Sequence, residues 1–195
     1  MKESKAAITA QQALHWLMEG NKKFCEEHYD VHPTIQEIEE LVNGQHPYAC
    51  IIACSDSRVP PNEIFDCDLG EIFVVRTAGN VVGEFELGSV EYAVEHLGCP
   101  LVMVLGHKNC GAVAGAIEWT GGTGALASIM NEVVPSVEKA RAEVGREKSV
   151  ASLAELYNIQ NSINRLMQSE ILREMPEGSV VSAIYDIASG KVELV

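Results

Sequence analysis

The chain has 195 residues, of which 47% are hydrophobic, and a chain of this size and composition typically folds as one domain with a full core. Its 28 acidic and 14 basic residues give a formal net charge of −14, and no Lys/Arg-rich run is present to neutralise phosphates, so we expect no nucleic-acid partner. The amino terminus has no signal-peptide pattern, and no stretch of about 18 apolar residues is present to cross a bilayer, which predicts a soluble cytoplasmic protein without a membrane partner.

The first 44 residues predict two helices outside the central sheet. Residues 11–28 place apolar side chains at near-helical spacing, and residues 34–44, TIQEIEELVNG, form a short acidic helix that ends at Gly44. We expect these amphipathic helices to form an N-terminal arm (1–44), followed by an α/β core (45–195).

Three short, continuous apolar runs predict buried strands. They occupy residues 48–54 (YACIIAC), 71–79 (EIFVVRTAG) and 100–107 (PLVMVLGH), and such runs suit strands that are covered on both faces. Residues 85–98, between the last two runs, have one apolar helical side and end at Gly98. A strand, a helix and a second strand in this order imply a parallel pairing with a right-handed crossover.

The remainder of the chain adds helices and one hairpin. Residues 124–175 have a mostly helical pattern with Pro135 and Gly145 as interruptions, and residues 179–195 contain two strand-like runs around Ser189 and Gly190. Those two runs resemble a hairpin at a sheet edge. The sequence therefore predicts a single α/β domain, in which helices flank a mainly parallel central sheet.

Chemically reactive side chains follow two of the predicted strands. Cys54, Asp56 and Arg58 come at and directly after the end of the first strand, and His107 and Cys110 come at and after the end of the third. Sites in open α/β sheets form at the carboxyl ends of strands, so these side chains converge if the two strands are neighbours. Two thiolates and an imidazole, with a carboxylate in reach as a fourth ligand, are a donor set that suits zinc.

Three other interpretations compete with a metal site. Buried cysteines and histidines at strand ends are often ordinary core residues. A structural zinc knuckle is a second alternative, although such sites usually have paired C-x(2–4)-C elements. A cysteine phosphatase is a third, but only three residues separate Cys54 from Arg58, where that family has five, and an aspartate occupies the would-be anion site. The two strand-end motifs together favour the metal site.

Asp56 and Arg58 lie two residues apart, and we expect them to form a charge-assisted pair. Such pairing holds Asp56 off the metal and leaves the fourth position for water, whereas an Asp56 released from Arg58 would coordinate zinc and close the site. Only the open state can perform hydration or hydrolysis. Asp56 is therefore expected to be a metal ligand in the closed state alone.

The motif C-S-D-S-R-V-P at residues 54–60, followed by G-H-x-x-C-G-A at residues 106–112, resembles the β-class carbonic anhydrases. The likeness extends to residues 71–82, 88–107 and 183–194, so it covers nearly the whole chain. The chain resembles the plant-like branch of this family, in the form of a short prokaryotic-type sequence.

The resemblance implies a reaction and a cofactor. Cys54, His107 and Cys110 would bind Zn²⁺, and the enzyme would catalyse the reversible hydration of carbon dioxide to bicarbonate and a proton. Asp56 and Arg58 would form the catalytic dyad that orients zinc-bound hydroxide toward carbon dioxide.

Four further positions match residues that contact the substrate in the family. Gly111 would place a backbone amide beside the substrate, and Gln45 resembles the substrate-orienting glutamine. Phe73 and Tyr92 resemble the aromatic walls of the carbon dioxide pocket. Because this pocket is completed across a dimer interface in the family, the resemblance implies a homodimer or homotetramer, with the N-terminal arm packed on a partner subunit.

Two other functions use the same residues. A carbon disulfide or carbonyl sulfide hydrolase would use the same zinc site on a sulfur-bearing substrate, and a non-catalytic zinc-binding protein would keep the fourth position shut by Asp56. The bicarbonate-inhibited branch of the family has a tryptophan three residues before the first ligand. This chain has Ile51 there, although Arg76 matches, so the resemblance does not extend to bicarbonate allostery.

Overall fold

The computed structural model describes residues 8–28, 33–145 and 149–195. Its strands are β1 (Ala49–Cys54), β2 (Ile72–Thr77), β3 (Leu101–His107), β4 (Val180–Tyr185) and β5 (Val192–Leu194). They form one sheet in the order β2-β1-β3-β4-β5. The first four strands are parallel, and β5 pairs antiparallel with β4 at the sheet edge. This arrangement confirms the predicted α/β class, the mainly parallel sheet and the terminal hairpin.

Eight helices lie within the described ranges. They are α1 (Ala10–Cys25), α2 (Ile35–Glu40), α3 (Pro61–Ile64), α4 (Glu84–Glu95), α5 (Gly111–Ile117), α6 (Ala125–Glu143), α7 (Val150–Leu166) and α8 (Glu170–Arg173). A single 3₁₀ turn, Ala78–Asn80, follows β2. None of these helices combines the length and the hydrophobicity that crossing a membrane requires.

Two predicted helix boundaries differ from the structure. Pro135 lies inside α6 and does not interrupt it, because Val133 and Val137 on either side are buried in the same apolar cluster and this packing outweighs the single hydrogen bond that proline removes. Gly145 does follow the end of α6. The helix predicted to end at Gly44 already ends at Glu40, and turn residues fill the interval.

Both faces of the central strands are covered. Ile51 and Met103 point to one face, in the same cluster as Leu17 of α1, whereas Ile52 and Val104 point to the other, in a cluster that includes residues of α4 and α7. Every residue of β1 and β3 is buried. This burial on both sides explains why the two strands are continuous apolar runs instead of alternating patterns.

Helix α1 packs on the sheet of its own chain. Leu17 is fully buried, and the side chain of Asn21 donates to the carbonyl oxygens of Ile64 (3.1 Å) and Gly190 (2.8 Å) and accepts from the backbone N–H of Val192 (2.9 Å). The polar contacts of Asn21 thus tie α1 to the terminal hairpin. The division into an arm and a core, and the contact of the arm with a partner subunit, stay predictions.

Candidate metal centre

The structure brings together the three side chains that the two strand-end motifs predicted as ligands. Cys54 is the last residue of β1, His107 is the last residue of the neighbouring parallel strand β3, and Cys110 is the N-cap of α5. All three are buried, and their ligand atoms lie within 4.8 Å of one another. These three residues are called the cluster below. Parallel pairing of β1 and β3 is what places both strand ends at one edge of the sheet.

The imidazole of His107 has one nitrogen engaged and one without a partner. Its Nδ1 lies 3.0 Å from the carbonyl oxygen of Lys108, and since a carbonyl only accepts, Nδ1 carries the proton. Nε2 is buried and has no hydrogen-bond partner among the described residues. A buried polar atom left in this way is destabilising, and a metal ion in the cluster would satisfy it.

The two thiols of the cluster shift each other's pKa in opposite directions. A hydrogen bond from Cys110 lowers the pKa of Cys54, as do the backbone N–H groups of Asp56 and Gly79; the last donates to Cys54 Sγ at 3.3 Å. The same contact with Cys54, together with burial, raises the pKa of Cys110. Because the thiolate is the form that binds metal, a divalent cation would displace the thiol protons. The donor set therefore fits a thiophilic divalent metal.

Asp56 and Arg58 form the expected pair at the edge of the cluster. Arg58 donates from Nε (2.9 Å) and its backbone N–H (3.0 Å) to Oδ1 of Asp56, and from Nη2 (2.7 Å) to Oδ2. The side-chain hydrogen bonds from Arg58 hold the pKa of Asp56 far below its usual range. Nη2 of Arg58 also lies 3.4 Å from the carbonyl oxygen of Asn109. Asp56 is thus an ionised acceptor that is fixed in direction.

Arg76 forms hydrogen bonds with the backbone of the loop that contains Asp56 and Arg58. Its Nε donates to the carbonyl oxygen of Cys54 (3.0 Å) and its Nη2 to that of Asp56 (2.6 Å). Ile51, the other position compared with the bicarbonate-inhibited branch, is fully buried in the core. The guanidinium of Arg76 is therefore engaged with the backbone that follows β1.

The four predicted substrate contacts divide between the two ends of the sheet. Gly111 is the first residue of α5, directly after Cys110. Phe73 is the second residue of β2, Gln45 precedes β1, and Tyr92 lies near the end of α4 with its ring centroid 6.2 Å from that of Phe73. A strand of 6 residues such as β1 spans about 17 Å. Within one chain, these last three residues lie at the opposite end of the sheet from the cluster.

Sequence reasoning missed three polar residues of α7 that lie beside the cluster. Glu155, Asn158 and Ser162 are buried, and Oε1 of Glu155 accepts from the backbone N–H of Cys110 at 3.1 Å. The signal was their spacing of three and four residues, which puts them on one side of the helix that also buries Ile159. Polar residues on the buried side of a helix indicate backbone groups that need partners.

Comparison with known proteins assigns this fold and cluster to a class. The family model described as carbonic anhydrase matches residues 49–192. A carbonic anhydrase of Mycolicibacterium smegmatis is 34% identical over 91% of this chain and 89% of its own length, and carbonic anhydrase 2 of Mycobacterium tuberculosis is 37% identical over the same shares.

Solved structures agree. The β-carbonic anhydrase CafA of Aspergillus fumigatus superposes with a TM-score of 0.72 at 31% identity, covering 95% of this chain and 89% of that one. One of two tetrameric β-carbonic anhydrases of Sordaria macrospora gives a TM-score of 0.73 at 26% identity, covering 93% and 96%. The chain therefore belongs to the β-class carbonic anhydrases.

Proposed function

We propose that this enzyme catalyses the zinc-dependent, reversible hydration of carbon dioxide to bicarbonate and a proton. The observation that carries the proposal is the buried Cys54–His107–Cys110 cluster beside the Asp56–Arg58 pair, with ligand atoms within 4.8 Å of one another. Membership of the family and the relatives that are named carbonic anhydrases support it. The assignment to the plant-like branch stays part of the proposal.

Zinc is the metal that this donor set suits best. Two cysteine sulfurs and one histidine nitrogen leave a fourth tetrahedral position open, which is the arrangement of a catalytic site. Zn²⁺ is a Lewis acid that lowers the pKa of a water molecule toward neutrality, as is established for carbonic anhydrases. The unpartnered Nε2 of His107 and the close approach of the three ligand atoms support metal binding here.

The Asp56–Arg58 pair orients the nucleophile. The ionised carboxylate of Asp56 only accepts hydrogen bonds, so it would accept one from the O–H group of the attacking oxygen. A lone pair of that oxygen then points toward carbon dioxide. Arg58 occupies both carboxylate oxygens and so keeps Asp56 from becoming the fourth ligand. This pairing speaks against the alternative of a non-catalytic protein whose site is closed by Asp56.

The substrate pocket is proposed to need a second copy of the chain. Gln45, Phe73 and Tyr92 lie far from the cluster of their own chain, so they would contact substrate only in the site of a partner. The tetrameric enzymes of Sordaria macrospora support an assembly of this kind, and we propose a homodimer or homotetramer. The six free cysteines are consistent with the reducing cytoplasm as its location.

A stopped-flow assay with a pH indicator, combined with metal analysis, tests the proposal. We expect carbon dioxide hydration that requires one zinc ion per chain and is abolished by a chelator that removes it. Zinc-loaded protein without hydration at any pH would contradict it. In parallel, sulfide release from carbonyl sulfide and carbon disulfide is measured, and faster turnover of these substrates than of carbon dioxide would favour the hydrolase.

A further inference from the structure

One side of α7 carries a buried polar stripe, formed by Glu155, Asn158 and Ser162. Their exposed fractions are 6%, 2% and 3%, and they stand among buried apolar residues of the same helix, such as Ile159. Polar groups in such a position are costly unless they form hydrogen bonds. Each of these three side chains forms a hydrogen bond with the backbone of a loop at the carboxyl end of the sheet.

Glu155 holds the loop that carries Cys110. Its carboxylate accepts the backbone N–H of Cys110 at 3.1 Å and also that of Asn109. Asn109 has a left-handed backbone with φ 58°, a turn conformation that asparagine adopts more readily than most non-glycine residues. The carbonyl oxygen of Asn109 faces Nη2 of Arg58. The carboxylate thus fixes a turn that bears a ligand sulfur on one side and contacts the Asp56–Arg58 pair on the other.

Asn158 holds the loop beside the other sulfur. Its Nδ2 donates to the carbonyl oxygen of Gly79 at 2.7 Å, and the backbone N–H of Gly79 donates to Sγ of Cys54 at 3.3 Å. Asn158 therefore fixes the residue whose amide orients Cys54. Ser162, one turn further along, donates to the carbonyl oxygen of Asn80 at 2.9 Å and accepts from Nδ2 of Asn80 at 3.3 Å; among the described residues, no hydrogen bond joins Asn80 to either sulfur.

We propose that Glu155 and Asn158 are positioning residues, which act from one helix on the two sulfur ligands: Glu155 sets the direction of Cys110 through its backbone amide, and Asn158 sets that of Cys54 through Gly79. The inference rests on the zinc site proposed above. Rigid backbone contacts of this kind keep the two sulfurs and the imidazole in one geometry, so that metal binding does not have to order the loops. Glu155 works as an acceptor, whereas Asn158 works as a donor.

Conservative variants separate these roles from general stabilisation. Glu155→Gln keeps an acceptor oxygen and Glu155→Ala removes it; Asn158→Asp and Asn158→Ala both remove the donor. Ser162→Ala is the matched control, because it removes a buried hydrogen bond of the same stripe that reaches no ligand. Each purified variant is measured for zinc affinity by competition with a chromogenic chelator, and for the absorption spectrum of its Co²⁺-substituted form.

We expect the two alanine variants and Asn158→Asp to lose roughly 10- to 100-fold in zinc affinity, as is typical when a residue that orients a ligand is removed. Their cobalt spectra should shift in the sulfur-to-metal bands. Glu155→Gln and Ser162→Ala should bind zinc within about threefold of the unmodified protein and keep its spectrum. Thermal unfolding of the metal-free forms checks that each variant folds.

Two results would overturn the inference while leaving the zinc site intact. One is tight zinc binding and an unchanged cobalt spectrum in Glu155→Ala and Asn158→Ala; the other is equal loss in Ser162→Ala, which would make the stripe merely structural. If the alanine variants do not fold, the contrast between Glu155→Gln and Asn158→Asp decides. Failure of the unmodified protein to bind zinc would instead refute the proposed function.

Discussion

The two ends of the sheet differ in how complete they are. At the carboxyl end, Cys54, His107 and Cys110 form a buried cluster within one chain. At the amino end, Phe73 and Tyr92 lie against each other on the surface, and Tyr92 is 48% exposed. The first set is assembled within one chain, and the second set presents an aromatic surface that lies far from the cluster.

This difference shows which functions a single fold can complete alone. The carboxyl ends of parallel strands lie at the same end of the sheet, so the cysteines and the histidine at the ends of β1 and β3 meet without a partner subunit. The aromatic pair at the amino end cannot reach the cluster of its own chain, because the rigid strands that separate the two are about 17 Å long. The Cys54–His107–Cys110 cluster is therefore a property of the chain, and the substrate pocket, as proposed, is a property of its assembly.

The largest expected effect comes from the carboxyl end. Asp56→Asn replaces an acceptor-only carboxylate by an amide and removes the charge that Arg58 pairs with, so the attacking oxygen loses its fixed orientation. We expect kcat/KM for carbon dioxide hydration to fall by roughly 10²- to 10⁴-fold, with zinc content unchanged. Stopped-flow kinetics and metal analysis on the same preparation measure both quantities.

Asp68→Asn is the matched control for this prediction. It makes the same change of charge at an exposed residue before β2, at the amino end of the sheet, and should leave both quantities unaltered. Retention of full activity in Asp56→Asn would show that the pair next to the cluster does not orient the nucleophile.

An intermediate effect tests the proposal that the two ends meet between subunits. We expect Phe73→Ala/Tyr92→Ala to lower kcat/KM about tenfold by removing apolar contacts to the substrate, and Cys54→Ser to be inactive for lack of a ligand. In a hybrid dimer that contains one chain of each variant, a two-fold interface creates one site with intact ligands from one chain and intact aromatic residues from the other. This hybrid should therefore have about half of the unmodified activity.

The hybrid is prepared by coexpression of the two chains with different affinity tags and isolated by two successive purifications. A protein in which both tagged chains carry Cys54→Ser serves as the inactive control. If the hybrid has no more activity than the Phe73→Ala/Tyr92→Ala protein, the aromatic residues do not serve a partner's site, and the amino end has another role.

The smallest effect concerns the link between the hairpin and the carboxyl end. Nζ of Lys108, the residue after His107, lies 2.8 Å from Oδ2 of Asp186, and the hydrogen bond from Lys108 lowers the pKa of Asp186. A carboxyl with a lowered folded-state pKa stabilises the protein above its unfolded-state pKa of about 3.9, and this contribution is lost as pH falls through the folded-state pKa. The pair is partly exposed, so its contribution is small.

Asp186→Asn should therefore lower the urea midpoint slightly at neutral pH, and the difference from the unmodified protein should shrink as the pH falls below about 4. Urea unfolding of the metal-free proteins over a pH series measures it. A difference that persists unchanged at the acid end would show that the ion pair is not its source, because asparagine keeps an oxygen that can accept the backbone N–H of Ala188.

Local pattern was enough to predict the strands and the three residues that cluster at their ends. Continuous apolar runs identified β1 and β3, and the cluster residues are the last residues of these strands or lie in the loop after β3, so they are adjacent in sequence to the runs. Local pattern was wrong at Pro135, since burial of its neighbours in α6 outweighs the local preference of proline. It was silent on Glu155, whose partner Cys110 lies 45 residues away.

The sequence by itself determined the α/β class, the two strand-end motifs and the Asp56–Arg58 pair, since each depends on local pattern or on residues close together in the chain. Tertiary structure decided that α7 lies beside both ligand loops, and that Gln45, Phe73 and Tyr92 lie at the opposite end from the cluster. Those placements depend on how helices pack across the sheet, and such packing is fixed by contacts between distant segments that no local period encodes.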